Sequence, residues 1–498
     1  MSNKKNCHIR KINYSALLSS VIVLLQPNFV FADESIWYKS NNPLKTEAFI
    51  PPAIPEDYLD RTTCNAANYD NALTLADIAE AALCNNPQTR EAYASAKVQA
   101  AQVGIAKSAY LPSVNDNVST NLNMAFPEQS SRSNPYSNLS NNIVASYLLY
   151  DFGNRDASLE NARQLLQAAS ATQSNVVQIV LLNAIQAYYQ IQASVAALDA
   201  ALESEHASEE SYKAAQARYK AGVSTPADKL QAQTLFAQNT LNRITIEGTL
   251  KTAYGTLANV MGLVANQTLK LAASATTQPQ KNIEQDIQTL IEQARTRRPD
   301  LIASEAQLKA AEASIEVSKS AAKPTVLVAA SNGFQTGNNL PSNYNSALGV
   351  TVSIPIFGGY APTYRIHAAE ANFDVRTAQR DKLRLQISLD VWRAYQSLRT
   401  ANESIKASVV LVSSAEESSR VAMGRYKAGV GNILDSINAQ SAMASARQQQ
   451  IQATLNWNIA RATLAQSIGG LDNAMIQSLP TGKNSQSGLA APSLEIQP

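Results

Sequence analysis

The chain has little histidine and little cysteine, with three residues of each type among 498. His8 lies in a predicted signal peptide, whereas His206 and His367 lie in separate helical stretches far apart in the sequence. Their spacing matches no metal motif, and the sequence has neither a phosphate-binding loop nor a nucleophile elbow. We therefore expect no catalytic residues, no metal and no cofactor, and the protein is predicted not to be an enzyme.

An excess of charge of one sign is also lacking, since the chain has 41 Lys and Arg against 39 Asp and Glu. A basic start, a short apolar run over 16–25 and small residues ending at Ala32 are typical of a secretory signal peptide. Its removal takes four basic residues (41 − 4 = 37) and leaves 37 basic against 39 acidic ones. A near-neutral exported chain does not indicate a nucleic-acid partner.

Beyond this signal peptide no apolar run reaches the roughly 18 residues of a membrane helix. Four segments instead alternate polar and apolar residues, at 114–124, 141–152, 325–335 and 344–357. This alternation and the length of about 11 residues are typical of membrane β-strands. Strands in lipid leave no edge unpaired, and four are too few to close a barrel. The pattern predicts an oligomer if these strands span a membrane, and a small soluble sheet if they do not.

Glycine and proline are absent from two very long stretches, Asn154–Ala221 and Thr363–Met423. A helix of about 65 residues would be roughly 100 Å long. Each stretch runs into the same hexamer, RYKAGV, at 218–223 and again at 425–430. Two very long helices, each ending at this hexamer, are therefore predicted.

Each hexamer predicts the turn of a helical hairpin. Gly222 and Gly429 occupy the position where a helix end favours a left-handed residue. Thr225–Asp228 then has an N-cap threonine, a proline at the first helical position and an acid at the third. Asn432–Asp435 repeats this capping pattern without the proline. A second helix is therefore expected to return along the first in both places.

The two hairpins belong to a longer internal duplication, since related segments recur at an offset of 207 residues, or of 212 upstream. The smaller offset indicates that the second copy has lost a few residues in the region between these matching segments. We divide the chain into 1–32 (signal peptide), 33–72 (extended N-terminal leader), 73–263 (first repeat), 264–297 (linker and short helix), 298–471 (second repeat) and 472–498 (C-terminal tail).

Two cysteines, Cys64 and Cys84, remain after the signal peptide is removed. An exported compartment is oxidising, so a disulfide that joins the leader to the first helix is the favoured interpretation. Two buried thiols are the alternative.

The order helix, strand, loop, strand, long helix, turn and returning helix occurs twice, and it resembles the TolC family of outer membrane efflux and secretion channels. The LPSV segment at Leu111, the Phe152-Gly153 and Phe357-Gly358 junctions and the two hexamers carry the resemblance over about 73–471. It implies a mainly α protein with a small β part. Its long helical hairpins would form an α-barrel across the periplasm, and four strands per chain would complete a twelve-stranded barrel in a homotrimer.

The resemblance also implies a gate at the hairpin ends. Asp228 and Asp435 match the family's acidic tip positions, and Tyr219 and Tyr426 match a position whose hydroxyl helps to hold the tip closed. Asn438 stands where the best-known members have a second Asp, so we expect a less charged entrance. The alternative is a purely structural role, in which the two aspartates cap helices and the two tyrosines pack between them.

The turn residues are expected to meet a periplasmic adaptor; they are Arg218, Gly222, Val223, Arg425, Gly429 and Val430. Both arginines are interpreted as surface charges near a helix C-terminus. Gly431 stands where the best-known members have a basic residue, so the gate-locking salt bridge of those members is not expected.

These features predict a passive outer membrane exit duct of a tripartite type I secretion or multidrug efflux system. Its expected partners are two further copies, the adaptor, an inner-membrane ABC or RND pump and outer membrane lipid. The alternative is a periplasmic coiled-helix scaffold or an adhesin-like structural protein without transport, but helices so rich in Ala and Gln lack the large aliphatic heptads of a coiled coil. The sequence does not separate secretion from efflux, although the absence of a lipidation cysteine and the two mature cysteines slightly favour the secretion branch.

Overall fold

The computed structural model describes residues 43–49, 52–54, 71–123, 136–272, 286–338 and 340–471. The chain divides into a small N-terminal unit that ends at Ala48 and a large unit that begins at Phe49. The described residues of the small unit form a turn and the start of the short 3-10 helix Thr46–Phe49. The predicted signal peptide, most of the predicted leader and the predicted tail lie outside the described residues.

The large unit contains the same series of elements twice. The first series is α1 (Leu75–Asn85), α2 (Pro87–Ser108), β1 (Ser113–Asn123), β2 (Tyr136–Tyr150), α3 (Asn154–Lys220) and α4 (Pro226–Val260). The second is α5 (Ile287–Arg297), α6 (Pro299–Ser320), β3 (Thr325–Gly337), β4 (Leu340–Ser353), α7 (Ala361–Lys427) and α8 (Ile433–Ser467). Corresponding helices have equal lengths of 11, 22, 67 and 35 residues. The predicted duplication and both very long helices are confirmed.

The helix starts follow from local capping chemistry. Thr74 and Asp77 form a capping box at the start of α1, and the Asn86 side chain accepts a hydrogen bond from the Gln88 backbone at the start of α2. The short helix predicted within 264–297 is α5, which begins at Ile287 and ends at Arg297, because Pro299 can start a helix but cannot continue one.

The four strands form one antiparallel sheet in the order β1-β2-β3-β4. The predicted limits of two strands differ from those of the structure. β2 begins at Tyr136, five residues before the predicted start, and β4 covers Leu340–Ser353 instead of Tyr344–Phe357. β4 ends at Ser353 because that residue pairs with Thr325, the first residue of β3, and no described strand lies alongside the residues that follow.

One face of the sheet carries most of its large apolar side chains and is exposed. The register places these residues on that face: Val114, Val118, Leu122, Ile143, Tyr147, Val326, Val328, Phe334, Tyr344, Leu348, Val350 and Val352. Leu348 is 80% exposed. The opposite face carries mainly Asn, Ser, Thr, Ala and Gly. In the described part of the chain, β1 and β4 are open edges of this sheet.

The long helices pack side by side in one layer. In the half towards the hairpin turns the order is α4, α3, α8 and α7, and in the half towards the sheet it is α2, α3, α6 and α7. Two clusters of buried apolar side chains pack between the helices in the middle of this layer. One lies around Leu181, Tyr188 and Leu257, and the other around Ile387, Val391 and Trp457. The layer therefore has one edge formed by α2 and α4 and another formed by α7. Within the described ranges, no helix is long and apolar enough to cross a membrane.

Candidate gating site at the hairpin ends

Both long helices end in the same hydrogen-bonded turn. Gly222 and Gly429 have φ angles of 74° and 81°, in the left-handed region where a side chain would be strained. In the first turn the Val223 N–H donates to the Arg218 carbonyl at 3.0 Å, and in the second the Val430 N–H donates to the Arg425 carbonyl at 3.1 Å. These bonds satisfy carbonyls that the helix ends leave free, as in a Schellman motif.

The returning helices are capped differently, and the two tip carboxylates differ as a result. At the start of α4 the Thr225 hydroxyl accepts from the Asp228 N–H at 3.2 Å, and the Asp228 carboxylate accepts from the Thr225 N–H at 3.1 Å. At the start of α8 the Asn432 side chain accepts from the Leu434 N–H at 3.1 Å. Asp435 takes no part in its cap, so only Asp228 is committed to a capping bond.

Arg218 joins the first hairpin to the second. Its Nη1 donates to the Tyr426 carbonyl at 2.9 Å, and its guanidinium lies over the Tyr426 ring, 5.0 Å from the centroid. The same carbonyl accepts the Gly429 N–H at 3.0 Å, so Arg218 supports the turn of the other hairpin directly. Arg218 is half-buried, so it contacts the neighbouring hairpin as well as solvent, and its predicted adaptor contact stays a prediction. Arg425 is exposed, and its side chain has no hydrogen bond or ion pair among the described residues.

Tyr426 is 3% exposed, in a cluster with Ala215, Ala232 and Ile433 that spans both hairpins. Burial raises the pKa of the Tyr426 phenol, Arg218 lowers it and Asp228 raises it. Within the described part of the chain the Tyr426 hydroxyl has no hydrogen-bond partner. Tyr219, its counterpart, is 41% exposed, with the Lys229 ammonium 5.7 Å from its ring centroid. The duplicated tyrosines therefore have different environments.

A second polar contact lies further along the same interface. Gln440 on α8 donates from Nε2 to the Ser211 hydroxyl on α3 at 2.8 Å, in buried surroundings. Together with the Arg218 contact and the cluster around Tyr426, this bond joins the two hairpin ends into one packed unit.

Gly431 lies close to the backbone at the end of α7. A Cβ at this position would lie 3.0 Å from the Arg425 carbonyl carbon and 3.0 Å from the Tyr426 nitrogen. A basic side chain, as the resemblance would place here, would need this backbone to shift by a few tenths of an ångström. Arg218 instead brings a guanidinium to the second turn from the neighbouring hairpin.

Asp435 and Asn438 lie together in an open groove of about 560 Å³ between the ends of α7 and α8. Arg425 and Glu417 also line this groove. Asp435 is exposed, and its carboxylate makes no hydrogen bond or ion pair with the described residues. The structure thus separates the predicted gate residues into a packed set around Tyr426 and a solvent-facing set around Asp435.

The remaining predicted site is the disulfide. Cys84 lies at the end of α1 and is disulfide-bonded. Its predicted partner, Cys64, lies outside the described residues, so the pairing stays a prediction. In the part of the chain that the structure describes, no group of three or more His, Cys, Asp or Glu could hold a metal ion.

Known proteins share both the sequence pattern and the fold. The family model described as outer membrane efflux protein matches residues 78–263 and 290–470. Protein CyaE of Bordetella pertussis is 29% identical over 415 residues, which cover 82% of this chain and 86% of that protein. Outer membrane protein TolC of Vibrio cholerae is 24% identical and covers 82% of this chain and 94% of that protein. The solved outer-membrane channel OprN has a TM-score of 0.72 and 20% identity, covering 84% of this chain and 99% of that one.

The duplicated helical hairpins on a small antiparallel sheet are the fold of the TolC-like outer membrane channels. The chain belongs to the outer membrane efflux protein family. The protein is thus an outer membrane transport protein that extends into the periplasm, and it is not an enzyme. Family membership favours transport over the scaffold alternative.

Proposed function

We propose that the chain is the outer membrane exit duct of a tripartite system for type I secretion or multidrug efflux. In this proposal a periplasmic adaptor and an inner-membrane ABC or RND pump deliver the cargo, and the duct conducts it passively. The observation that carries the proposal is the four-stranded sheet, which combines two open edges with an exposed apolar face. An apolar face of this size suits lipid, and lipid does not tolerate unpaired strand edges.

The edges of the helical layer support a ring of copies. β1 follows α2 and β4 precedes α7, so each side of the subunit carries one strand edge and one helix edge. Contact between these two different sides is heterologous, and such contacts close into a ring when the rotation returns to its start. Four strands from each of three copies give the twelve strands of a closed barrel. We therefore propose a homotrimer surrounded by outer membrane lipid.

The proposed gate lies at the hairpin ends. The Arg218 bond to Tyr426 and the Gln440 bond to Ser211 hold the two hairpins of one subunit together, so opening by movement of one hairpin must break them. In the trimer we place Asp435 and Asn438 at the narrow entrance, with Asp228 outside them. Three Asp435 carboxylates around one axis would favour cations there.

The turn residues form the proposed adaptor contact. Val223 and Val430 are exposed large apolar side chains at the two turns, and Arg425 is exposed beside the second turn. Both valines lie at the same position of an identical turn, so the two hairpins present similar surfaces. An adaptor that contacts both hairpins would meet this surface twice in each subunit.

Mass measurement tests the assembly. The detergent-solubilised mature protein is expected to have the native mass of a trimer, and its electrophoretic mobility is expected to change on heating as the sheet opens. A monomeric mass in detergents that keep the sheet folded would contradict the proposal.

A further inference from the structure

The segment that follows β4, Ile354–Phe357, carries large apolar side chains on either side of Pro355, which has no N–H to donate to a strand. It has no neighbouring strand in the described part of the chain. Ile354, Ile356 and Phe357 are all exposed, and Ile356 is 94% exposed. Ile354 and Ile356 continue the alternation of Leu348, Val350 and Val352 beyond the end of β4. The segment cannot pair with β3, because β3 begins opposite Ser353.

The internal duplication identifies the counterpart of this segment. Ser113 pairs with Ser146 in the first half, and Thr325 pairs with Ser353 in the second. Counted from these matching pairs, Ile354–Phe357 correspond to 147–150 at the end of β2. Residues 147–150 also extend past their first partner, because β1 begins opposite Ser146. They are nevertheless part of a strand, because β3 pairs with β2 on its other side: Tyr147 lies opposite Val328 and Tyr150 opposite Val326.

We propose that Ile354–Phe357 extend β4 and pair with the start of β1 from a second copy of this chain, in the register that β2 and β3 show within one chain. The inference rests on the proposed trimeric barrel and adds its subunit register. Tyr147 opposite Val328 predicts Ile354 opposite Asp116 of the next copy. Ala145 opposite Ala330 predicts Val352 opposite Val118, and Val144 opposite Ser331 predicts Thr351 opposite Ser119.

The geometry of a closed barrel requires such a displacement. Within one chain, Val118 lies on the same cross-strand row as Asn141, Phe334 and Tyr344. If Tyr344 of one copy also lay opposite Val118 of the next, each row would return to its starting height and the strands would have no stagger. A barrel closes only with a stagger between its strands. The displaced register supplies this stagger. It shifts β1 of the next copy relative to β3 in the same direction as β3 is shifted relative to β1 within one chain.

The displaced register also matches the chemistry of the facing side chains. It places Val118 against Val352 and Leu122 against Leu348 on the apolar face, and Ser119 against Thr351 on the other face. The register shift between Leu148 and Tyr150 applies here as well, so Phe357 lies opposite Val114 and its exposed side chain gains an apolar neighbour. Each row keeps its side chains on one face, because the displacement is an even number of residues.

Paired cysteine substitutions in the full-length mature protein test this register. Directly opposed Cβ atoms are about 4.5–5.5 Å apart and diagonal ones about 7–8 Å, so only opposed positions approach disulfide geometry. Val118→Cys with Val352→Cys and Ser119→Cys with Thr351→Cys are expected to shift the monomer band to a covalent trimer on oxidation. The two pairs lie on opposite faces, so one of them occupies the closer, non-hydrogen-bonded type of pair. Val118→Cys with Tyr344→Cys and Val118→Cys with Val350→Cys are the controls and should stay monomeric on denaturing gels.

The outcomes separate the register from the trimer itself. A covalent trimer from either predicted pair and not from the controls supports the register. A trimeric native mass together with cross-links in a control pair, or in no pair, overturns the register and leaves the trimer standing. A monomeric native mass of the unsubstituted protein overturns both. The reduced form of each variant, measured by native mass, shows whether it still assembles.

Discussion

At the scale of single residues, Arg218 is the side chain that contacts both hairpin ends. Its bond to the Tyr426 carbonyl and its position over the Tyr426 ring connect residues 208 positions apart in the sequence. Arg425, its counterpart in the second hexamer, is exposed and makes no such bond with the described residues. Identical sequence in the two repeats therefore acquires different roles, because each hexamer packs against a different neighbour.

The first prediction concerns this contact. Arg218→Ala is expected to weaken the closed arrangement by about 1 kcal/mol, the usual worth of a partly exposed hydrogen bond, and so to raise the open probability of single channels. Arg425→Ala is the matched control. It removes the corresponding arginine from the second copy of the hexamer, where the side chain makes no hydrogen bond with the described residues. If both variants changed the open probability equally, Arg218 would not be part of the gate.

The second prediction concerns the carboxylate in the open groove. Asp435→Asn is expected to lower the preference of the channel for cations, because it removes one negative charge per subunit from the proposed entrance. The α8 cap should survive, because Asn432 provides it. Reversal potentials across a salt gradient measure the effect.

Two controls accompany this measurement. Asp228→Asn disturbs a capping box and should cost about 0.5–1 kcal/mol of stability with a smaller change of selectivity. A conservative change at His206, far along α3, should leave selectivity unchanged. If Asp435→Asn altered selectivity no more than the His206 variant, Asp435 would lie away from the conducting path.

At the scale of elements, the left-handed glycines determine where the long helices stop. Gly429→Ala is expected to cost roughly 1–2 kcal/mol, because a Cβ disfavours the left-handed conformation. The strain should loosen the second turn and increase tryptic cleavage after Arg425 and Lys427. Gly424→Ala is the matched control: nothing lies within 4 Å of a Cβ there, and its backbone is helical. That variant should resist trypsin at least as well as the parent, and equal cleavage of the two would contradict the account.

The helix limits could be predicted from the sequence because they are set locally. Gly222 and Gly429 end the long helices. Thr225 starts the returning helix through a capping box with Asp228, three residues further along the chain. The limits of β4 could not be predicted in this way. Ser353 is its last residue because of Thr325, a residue of another strand, and a sequence pattern carries no information about that register.

The candidate site was predictable only in part, for the same reason. The hexamers indicated the hairpin ends, and the capping patterns indicated Asp228 and Asp435. The Arg218 contact depends on tertiary packing between two repeats, and nothing in RYKAGV distinguishes its first copy from its second. The departure at Gly431 was visible in the sequence, but its cause, the 3.0 Å approach to the Tyr426 backbone, was not.

At the scale of the whole molecule, the two faces of the sheet should respond differently to charge. Leu348→Arg places a cation on the apolar face, where the cost near the middle of a bilayer is about 2–4 kcal/mol. Ala347→Arg places the same charge on the opposite face, at the neighbouring residue of the same strand. We expect Leu348→Arg to reduce the amount of trimer in outer membranes and Ala347→Arg to leave it nearly unchanged. Equal losses would show that the apolar face does not meet lipid.

In our proposal three copies of this chain form a gated duct through a membrane. Single-channel recording of the purified mature protein in a planar lipid bilayer shows whether they do. The trimer is expected to give discrete, cation-preferring conductance steps, with more time spent open in the Arg218→Ala variant. If trimers of the unsubstituted protein and of the Arg218→Ala variant both entered the bilayer and conducted no ions, the proposed duct would be wrong.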